Sequence, residues 1–162
     1  MILIAHADKN WGIGKDNSLM FRLPQDMKFF RTQTADSVVI MGRKTLESFP
    51  NQKPLPNRVN IVISKGEVAT EGIVLVHSCE EAVQEAKKYS DKKTFVIGGA
   101  TIYKQMLEYC DTALITKVYA NGEADAFIPN LDKDKNWRIF EQSEELEDNG
   151  YKIRFVTYKR IN

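Results

Sequence analysis

The sequence has few of the residues that mark disulfide frameworks, metal sites or thiol chemistry. Its two cysteines, Cys79 and Cys110, form no CxxC pair. Its two histidines, His6 and His77, are far apart and match no metal-ligand spacing. The cysteine pattern favours reduced, structural thiols over a disulfide. We therefore expect neither a disulfide nor a bound metal.

The sequence also lacks a charge imbalance and a long hydrophobic run. With 23 Lys and Arg against 22 Asp and Glu, the net charge is +1, which argues against nucleic acid or an anionic membrane as partner. No apolar run approaches the roughly 20 residues that span a bilayer. The N-terminal MILIAHADKN has neither the basic start nor the long apolar stretch of a signal peptide. We expect a cytoplasmic protein, and the absence of an obvious exposed apolar stripe favours a monomer.

The pattern of apolar runs predicts the α/β fold class. At 162 residues the chain is expected to form one domain, 1–162, with a sizeable core. Strands are predicted at 2–7, 38–41, 60–63, 73–76, 94–97, 113–118, 137–141 and 151–159. Helices are predicted at 24–33, 46–49, 78–89 and 101–107. Because strands alternate with helices, we expect a mostly parallel sheet covered on both faces, and the alternating last strand is typical of an antiparallel partner.

One carboxylate, Asp26, stands in an apolar and aromatic stretch, which reads LMFRLPQDMKFF. Pro24 suits the first position of a helix. Helical spacing then gives one stripe, which comprises Leu23, Asp26, Met27 and Phe30. A carboxylate that faces a core is costly unless it is hydrogen-bonded, which favours a site. Acids are also enriched in first helical turns, where they complement the helix dipole, so a structural role stays open here.

Glycines follow two of the predicted strands. Gly42 precedes the basic pair Arg43 and Lys44, and Gly98 and Gly99 precede the fourth helix. Glycine at a strand-to-helix junction lets the backbone approach a phosphate, and the helix start offers N–H groups. The alternatives are a solvated basic face and a tight packing turn. Since ligands of parallel α/β sheets bind outside the carboxyl ends of the strands, both junctions and Asp26 point to one rim.

Six ordered motifs then resemble those of the dihydrofolate reductase family, of bacterial type. They read GIGKDN, LPQDM, MGRKTLESF, PLPNR, VIGGATIY and LITKV, and they cover nearly the whole chain. The resemblance implies a central eight-stranded, mostly parallel sheet with an antiparallel last strand and flanking helices. It also implies NADPH-dependent reduction of 7,8-dihydrofolate to 5,6,7,8-tetrahydrofolate. In that reaction hydride passes from nicotinamide C4 to pterin C6 and N5 is protonated.

The resemblance assigns roles on the substrate side, where antifolate inhibitors would also bind. Asp26 would hold the pterin N3 and 2-amino group, and Arg58 would hold the α-carboxylate of the glutamate tail through a bidentate pair. The catalytic residues that it implies are Asp26, Thr116 and Phe21. The substrate-binding residues that it implies are Ala5, His6, Leu19, Asp26, Met27, Phe30, Phe49, Leu55, Arg58, Ile97 and Thr116.

The resemblance also assigns the cofactor site. The two glycine junctions would cradle the NADPH pyrophosphate, Arg43 would contact the 2′-phosphate, and the loop at 12–19 would close over the nicotinamide, steadied by Asp125. The cofactor-binding residues that it implies are Ala7, Ile13, Gly14, Leu19, Gly42, Arg43, Lys44, Thr45, Ile63, Ser64, Lys65, Ile97, Gly98, Gly99, Ala100, Thr101, Ile102 and Tyr103.

The chain departs from the common family pattern beside this site. Many relatives have Pro-Trp where Met20 and Phe21 stand, and Phe21 has no indole N–H to anchor a water near the carboxylate. His6 replaces a small residue and either packs as a core histidine or contacts a ligand. The rival functions are a related riboflavin-pathway reductase, which lacks the pairing of Asp26 with Arg58, and a nucleotide-binding module without catalysis.

Overall fold

A large mixed β-sheet forms the centre of the structure, a computed structural model that describes residues 1–161. Its strands, with those of a small second sheet, are β1 (Ile2–Ala7), β2 (Gly12–Gly14), β3 (Val38–Gly42), β4 (Val59–Ile63), β5 (Val74–Val76), β6 (Thr94–Gly98), β7 (Thr112–Val118), β8 (Ala126–Phe127), β9 (Trp137–Gln142), β10 (Leu146–Asp148) and β11 (Tyr151–Arg160). The α-helices are α1 (Pro24–Thr34), α2 (Arg43–Ser48), α3 (Cys79–Ala86) and α4 (Ala100–Met106).

The large sheet has the order β10-β11-β7-β1-β6-β3-β4-β5, and β9 also pairs with β11. The strands β9 and β10 pair with successive parts of β11, on the edge that β7 does not use. They therefore share one position, and the sheet has eight positions across. Every pair among β1 and β3 to β7 is parallel, whereas β11 is antiparallel to its neighbours. The predicted eight-stranded, mostly parallel sheet with an antiparallel C-terminal strand is confirmed.

Helices cover both faces of this sheet and make two apolar layers. The α1 and α2 side carries Phe29, Phe30 and Leu46 against central strands, and the other side carries Ala82 of α3 and Met106 of α4. The β3 residues 38–41 are completely buried, as expected for a strand covered on both faces. Three short strands, β2, β8 and β10, were not predicted, because two- or three-residue pairings in polar loops leave no periodicity to detect.

The two cysteines are free thiols in the interior or at its edge. Cys79 begins α3 and is half-buried, and Cys110 is buried. Burial raises the pKa of the Cys110 thiol to about 11 and also raises that of Cys79. Both therefore stay protonated at neutral pH, which suits packing rather than chemistry. Within residues 1–161 no helix is long and apolar enough to cross a membrane, and no group of side chains is arranged to hold a metal ion.

Candidate active site

The first turn of α1 holds Asp26 against the sheet. Its Oδ1 accepts a hydrogen bond from Thr116 Oγ1 at 2.6 Å, and its Oδ2 lies 3.3 Å from His6 Nδ1. The Asp26 side chain is 14% exposed and that of His6 is 6% exposed. A carboxylate that only complemented the helix dipole would face solvent. This one faces β1 and β7 instead, and the hydrogen-bonding groups of Thr116 and His6 compensate for its removal from water.

Strand register explains why these three side chains meet. His6 of β1 is paired with Thr116 of β7, and Thr116 is paired with Phe155 of β11. Residues paired across neighbouring strands point to the same face, so all three lie in one row beneath α1. Phe29 of α1 packs on Phe155 with ring centroids 4.6 Å apart. This aromatic contact packs α1 against the strand residues of the row.

A second carboxylate, Asp148 of β10, caps the N-terminus of α1. Leu23 stands at the N-cap position and supplies no side-chain hydrogen bond. Instead Asp148 Oδ2 accepts from the backbone N–H of Gln25 at 3.0 Å and of Asp26 at 3.1 Å. Asp148 is only 2% exposed. Our sequence reasoning missed this residue, because it lies 122 residues from Asp26 and local capping patterns cannot reveal it.

Removing this remote cap is expected to weaken the fold. Asp148→Ala leaves two N–H groups of α1 without their acceptor, so the free energy of unfolding should fall by about 1–2 kcal/mol. Asp148→Asn keeps an acceptor oxygen and should lose less. Urea titration monitored by circular dichroism measures both, with Glu147→Ala as an exposed neighbouring control. Equal stability of Asp148→Ala and the control would exclude a capping role.

Apolar side chains border the carboxylate on its open side. Phe30, Phe49, Leu55 and Ile97 are half-buried and pack on the same core layer. Together they form an apolar wall whose surface is still partly accessible, and this wall is the candidate cleft for a ligand. Met27 shares the α1 stripe but is 46% exposed, so the predicted stripe is buried only in part. Two other predicted substrate residues lie elsewhere, since Leu19 is 64% exposed in a loop and Ala5 packs on the α3 and α4 side of the sheet.

Phe21 lies beside His6 and belongs to a third apolar cluster. Its ring packs edge-on against Tyr151 at 4.8 Å between centroids and lies 6.1 Å from the His6 ring. Phe21 is buried, so it supplies an apolar wall near Asp26 rather than a polar group.

Arg58 lies at the other end of the apolar wall, held by neutral oxygens. Its Nε donates to the carbonyl and the hydroxyl of Thr34, its Nη1 to Pro56 O at 2.9 Å, and its Nη2 to Arg31 O at 3.3 Å. Burial, and then the charge of Arg31, lower the pKa of this guanidinium below its usual range. None of the ion pairs formed within residues 1–161 includes Arg58. Its charge is therefore positioned and available for an anionic ligand.

The glycine junctions lie side by side at the carboxyl ends of β3 and β6. A Cβ at Gly42 would meet Ile102 Cγ1 at 3.0 Å, and Gly98 adopts φ of +126°, a conformation that strains any other residue. A Cβ at Gly98 or Gly99 would lie within 3.7 Å of Thr45 Oγ1. Ile102 and Tyr103 are buried behind the second junction. Neither α2 nor α4 has a side-chain cap, so the first-turn N–H groups are not claimed by a capping side chain.

Basic and polar side chains continue this rim along the neighbouring strands. Parallel pairing of Gly42 with Ile63, and of Ile63 with Val76, sets the ends of β3, β4 and β5 side by side. Arg43 follows β3, where it pairs with Glu47 at 2.9 Å. The residues after β4 and β5 are Ser64, Lys65 and His77, and His77 Nδ1 lies 2.8 Å from Ser64 O.

The loop at 12–19 is held by hydrogen bonds on two sides, one to the loop before β8 and one to the rim. Asp125 Oδ2 accepts from the backbone N–H of Asp16 at 3.0 Å, and Asp125 N donates to Gly14 O at 3.0 Å. On the other side Asn17 Nδ2 donates to Lys44 O at 3.2 Å. The contact with Asp125 is the one that the sequence resemblance predicted. Ile13 and Ala7 pack at the core on the α3 and α4 side.

Fold and site together define the class of this protein. It is an α/β protein whose strand ends form a glycine-bordered, basic rim, with a half-buried, hydrogen-bonded carboxylate beside an apolar wall. Free N–H groups, close-approach glycines and cations suit the phosphates of a nucleotide.

Comparison with known proteins narrows this class to one family. A profile of the family described as "Dihydrofolate reductase" matches residues 1–160. The dihydrofolate reductase of Bacillus subtilis is 36% identical over 158 residues, covering 96% of this chain and 91% of that protein. A dihydrofolate reductase structure from Enterococcus faecalis, complexed with NADP(H) and RAB-propyl, has a TM-score of 0.89 and 32% identity, covering 99% of this chain and 96% of that one. The chain belongs to the dihydrofolate reductase family.

One relative is much longer than this chain. The bifunctional dihydrofolate reductase-thymidylate synthase of Daucus carota is 39% identical over 177 residues. The match covers 98% of this chain but only 33% of the carrot protein, so the chain spans about a third of that relative's length. The family resemblance stated from the sequence motifs is confirmed by these matches.

Proposed function

We propose that this protein catalyses the NADPH-dependent reduction of 7,8-dihydrofolate to 5,6,7,8-tetrahydrofolate. Family membership supports this activity. The single observation that carries it is the half-buried Asp26 carboxylate, which accepts a hydrogen bond from Thr116 at 2.6 Å. An anion-binding module without catalysis has no need for such a group beside its cofactor rim.

The residues of the rim fit NADPH. Gly42, Gly98 and Gly99 have no Cβ to meet Ile102, Tyr103 and Thr45, so the two junctions pack closely, and the pyrophosphate would bind to their backbone N–H groups. Arg43, with Lys44, Ser64 and Lys65, would hold the 2′-phosphate, and Ala7, Ile13 and Ile97 would border the nicotinamide. The other proposed contacts are Gly14, Leu19, Thr45, Ile63, Ala100, Thr101, Ile102 and Tyr103. When bound, NADPH supplies the hydride that the pterin takes at C6 while N5 gains a proton.

The cleft residues bind and orient the pterin. The two oxygens of Asp26 accept from the pterin N3–H and 2-amino group, which fixes the ring in one orientation. Phe30, Leu55 and Phe49 exclude water from the reacting rings. Arg58 binds the α-carboxylate of the glutamate tail, using N–H groups on the side away from its backbone acceptors.

The proposed activity is tested by following NADPH oxidation spectrophotometrically with dihydrofolate as the second substrate. We expect oxidation that depends on both components. The control reactions omit dihydrofolate or replace it with the pyrimidine substrate of a riboflavin-pathway reductase. Oxidation with the pyrimidine alone would favour that rival enzyme, and tight NADPH binding without oxidation would favour a binding module.

The preference for NADPH over NADH is expected to rest on Arg43. Arg43→Ala should raise KM for NADPH by about tenfold, because a hydrogen-bonded pair with a phosphate is lost, while KM for NADH stays within about twofold. Glu47, which now pairs with Arg43, would have to release it for this contact. Arg138→Ala on β9 removes an exposed cation elsewhere and is the matched control. Unchanged selectivity in Arg43→Ala would remove this residue from phosphate recognition.

We also propose that the protein acts as a monomer and that antifolates bind in the same cleft. The exposed large hydrophobic side chains are spread over several elements, with Leu19 in a loop, Met27 on α1, Phe127 on β8 and the neighbours Ile139 and Phe140 on β9. They form no continuous stripe along one element. Light scattering reports the mass in solution, and competition with dihydrofolate in the oxidation assay reports antifolate binding.

A further inference from the structure

His6 is a buried titratable residue that the proposed reaction does not use. Its Nδ1 lies 3.3 Å from Asp26 Oδ2, and its side chain is almost completely enclosed. Its other ring nitrogen, Nε2, is buried and has no hydrogen-bond partner within residues 1–161. Burying an imidazole ring costs desolvation free energy, which its one polar contact, the one with Asp26, must offset.

The contact defines which nitrogen of His6 carries a proton. A carboxylate only accepts hydrogen bonds, so Nδ1 must donate for the contact with Asp26 to be favourable. An Nε2–H would be buried without an acceptor, which is costly. The neutral ring with its proton on Nδ1 satisfies both conditions.

A count of donors shows what His6 leaves for a ligand. An ionised carboxylate has about four acceptor positions, two on each oxygen. Thr116 takes one on Oδ1, and His6 takes one on Oδ2. One position on each oxygen stays open, which is what a ligand with two neighbouring N–H donors requires.

The groups that pack around the pair of His6 and Asp26 are a carboxylate and two tyrosines. Asp148 brings a second carboxylate against the backbone N–H of Asp26, and its charge opposes that of Asp26. Tyr103 of α4 donates its hydroxyl to Ile4 O at 2.7 Å, and burial and the Asp26 charge raise its pKa, so it stays neutral. Tyr151 packs against Phe21. Within residues 1–161 no Lys or Arg hydrogen-bonds or pairs with Asp26, so His6 and Thr116 are its side-chain donors.

We propose that His6 is a positioning residue that acts through Asp26. Its Nδ1–H, together with the Thr116 hydroxyl, fixes the orientation of the carboxylate so that one acceptor position on each oxygen stays open for the pterin. This inference rests on the proposed function, because the pterin is the ligand that the open positions take. It assigns to His6 a role that a core histidine packed for shape alone would not have.

Steady-state kinetics test the role in binding. His6→Ala should raise KM for dihydrofolate by about tenfold, because the donor that orients Asp26 is lost, while KM for NADPH stays within about twofold. His6→Asn places an amide N–H near the Nδ1 position and should keep KM for dihydrofolate within about twofold of wild type. An unchanged KM for dihydrofolate in the Ala variant, or an Asn variant that behaves like the Ala variant, would overturn the proposal.

Nitrogen-15 NMR tests the pairing without any enzyme assay. The chain has only His6 and His77, and His77→Gln assigns the two rings. We expect neutral His6 to carry its proton on Nδ1, and Asp26→Asn to change the tautomer balance or ring shifts of His6. A proton on Nε2 would overturn the inference. If wild type fails to oxidise NADPH with dihydrofolate, the proposed function fails, and this measurement still decides whether His6 donates to Asp26.

Discussion

Replacing Asp26 with asparagine is expected to lower kcat/KM for dihydrofolate by about 10³-fold. Asparagine has the same shape but no charge, and its amide nitrogen donates where the carboxylate accepts. One of the two pterin N–H groups would then meet another donor. Asparagine keeps a single acceptor oxygen, so one of the two neighbours that now donate to Asp26, Thr116 Oγ1 at 2.6 Å or His6 Nδ1 at 3.3 Å, would also lose its acceptor. Orientation of the pterin for hydride transfer is lost with them.

Folding and cofactor binding should survive this substitution. The rim glycines and basic residues lie at the carboxyl ends of β3, β4 and β6 and at the start of α2, whereas the side-chain hydrogen bonds of Asp26 go to β1 and β7. Thermal unfolding and quenching of tryptophan fluorescence by NADPH measure the two properties. Asp91→Asn, at an exposed turn, is the matched control for loss of one carboxylate. Near-normal turnover of Asp26→Asn would remove this residue from the mechanism.

Most of the fold follows from local patterns in the sequence. The segments that form β1, β3, β4, β6 and β7 are mostly apolar, with apolar side chains on both faces of the sheet. Buried parallel strands require this composition. Pro24 marked the first residue of α1 correctly. The short strands β2 and β8 depend on pairing between two loops, and no local pattern encodes such a pairing.

The site was predictable in its position and less so in its contacts. The rule that ligands bind at the carboxyl ends of parallel strands brought Gly42 and Gly98 together correctly. The partners of Asp26 depend on register, since Thr116 lies 90 residues away and Asp148 lies 122 residues away. Periodicity states which face a side chain occupies, but only the paired strands decide what it meets there.

Replacing Arg58 with lysine is expected to raise KM for dihydrofolate by about 10²-fold, the second largest effect. Lysine keeps the positive charge, but a single ammonium cannot form the bidentate pair with the glutamate carboxylate. It also cannot donate at once to Thr34, Pro56 and a ligand, as the fork of Arg58 can. Steady-state kinetics measure the change. A 7,8-dihydropterin without the aminobenzoyl-glutamate tail is the control substrate, and its KM should stay within about twofold of the wild-type value.

The control substrate separates recognition of the tail from support of the fold. Arg58 joins the loop before β4 to the end of α1 through its contacts with Pro56, Thr34 and Arg31. If these contacts mainly hold the cleft together, Arg58→Lys should impair the tail-free substrate as strongly as dihydrofolate and should lower the melting temperature. Arg31→Lys keeps its backbone acceptor and serves as the matched variant. Because the acceptors of Arg58 are neutral and its charge has no carboxylate partner within residues 1–161, we expect the loss to be confined to substrates with the glutamate tail.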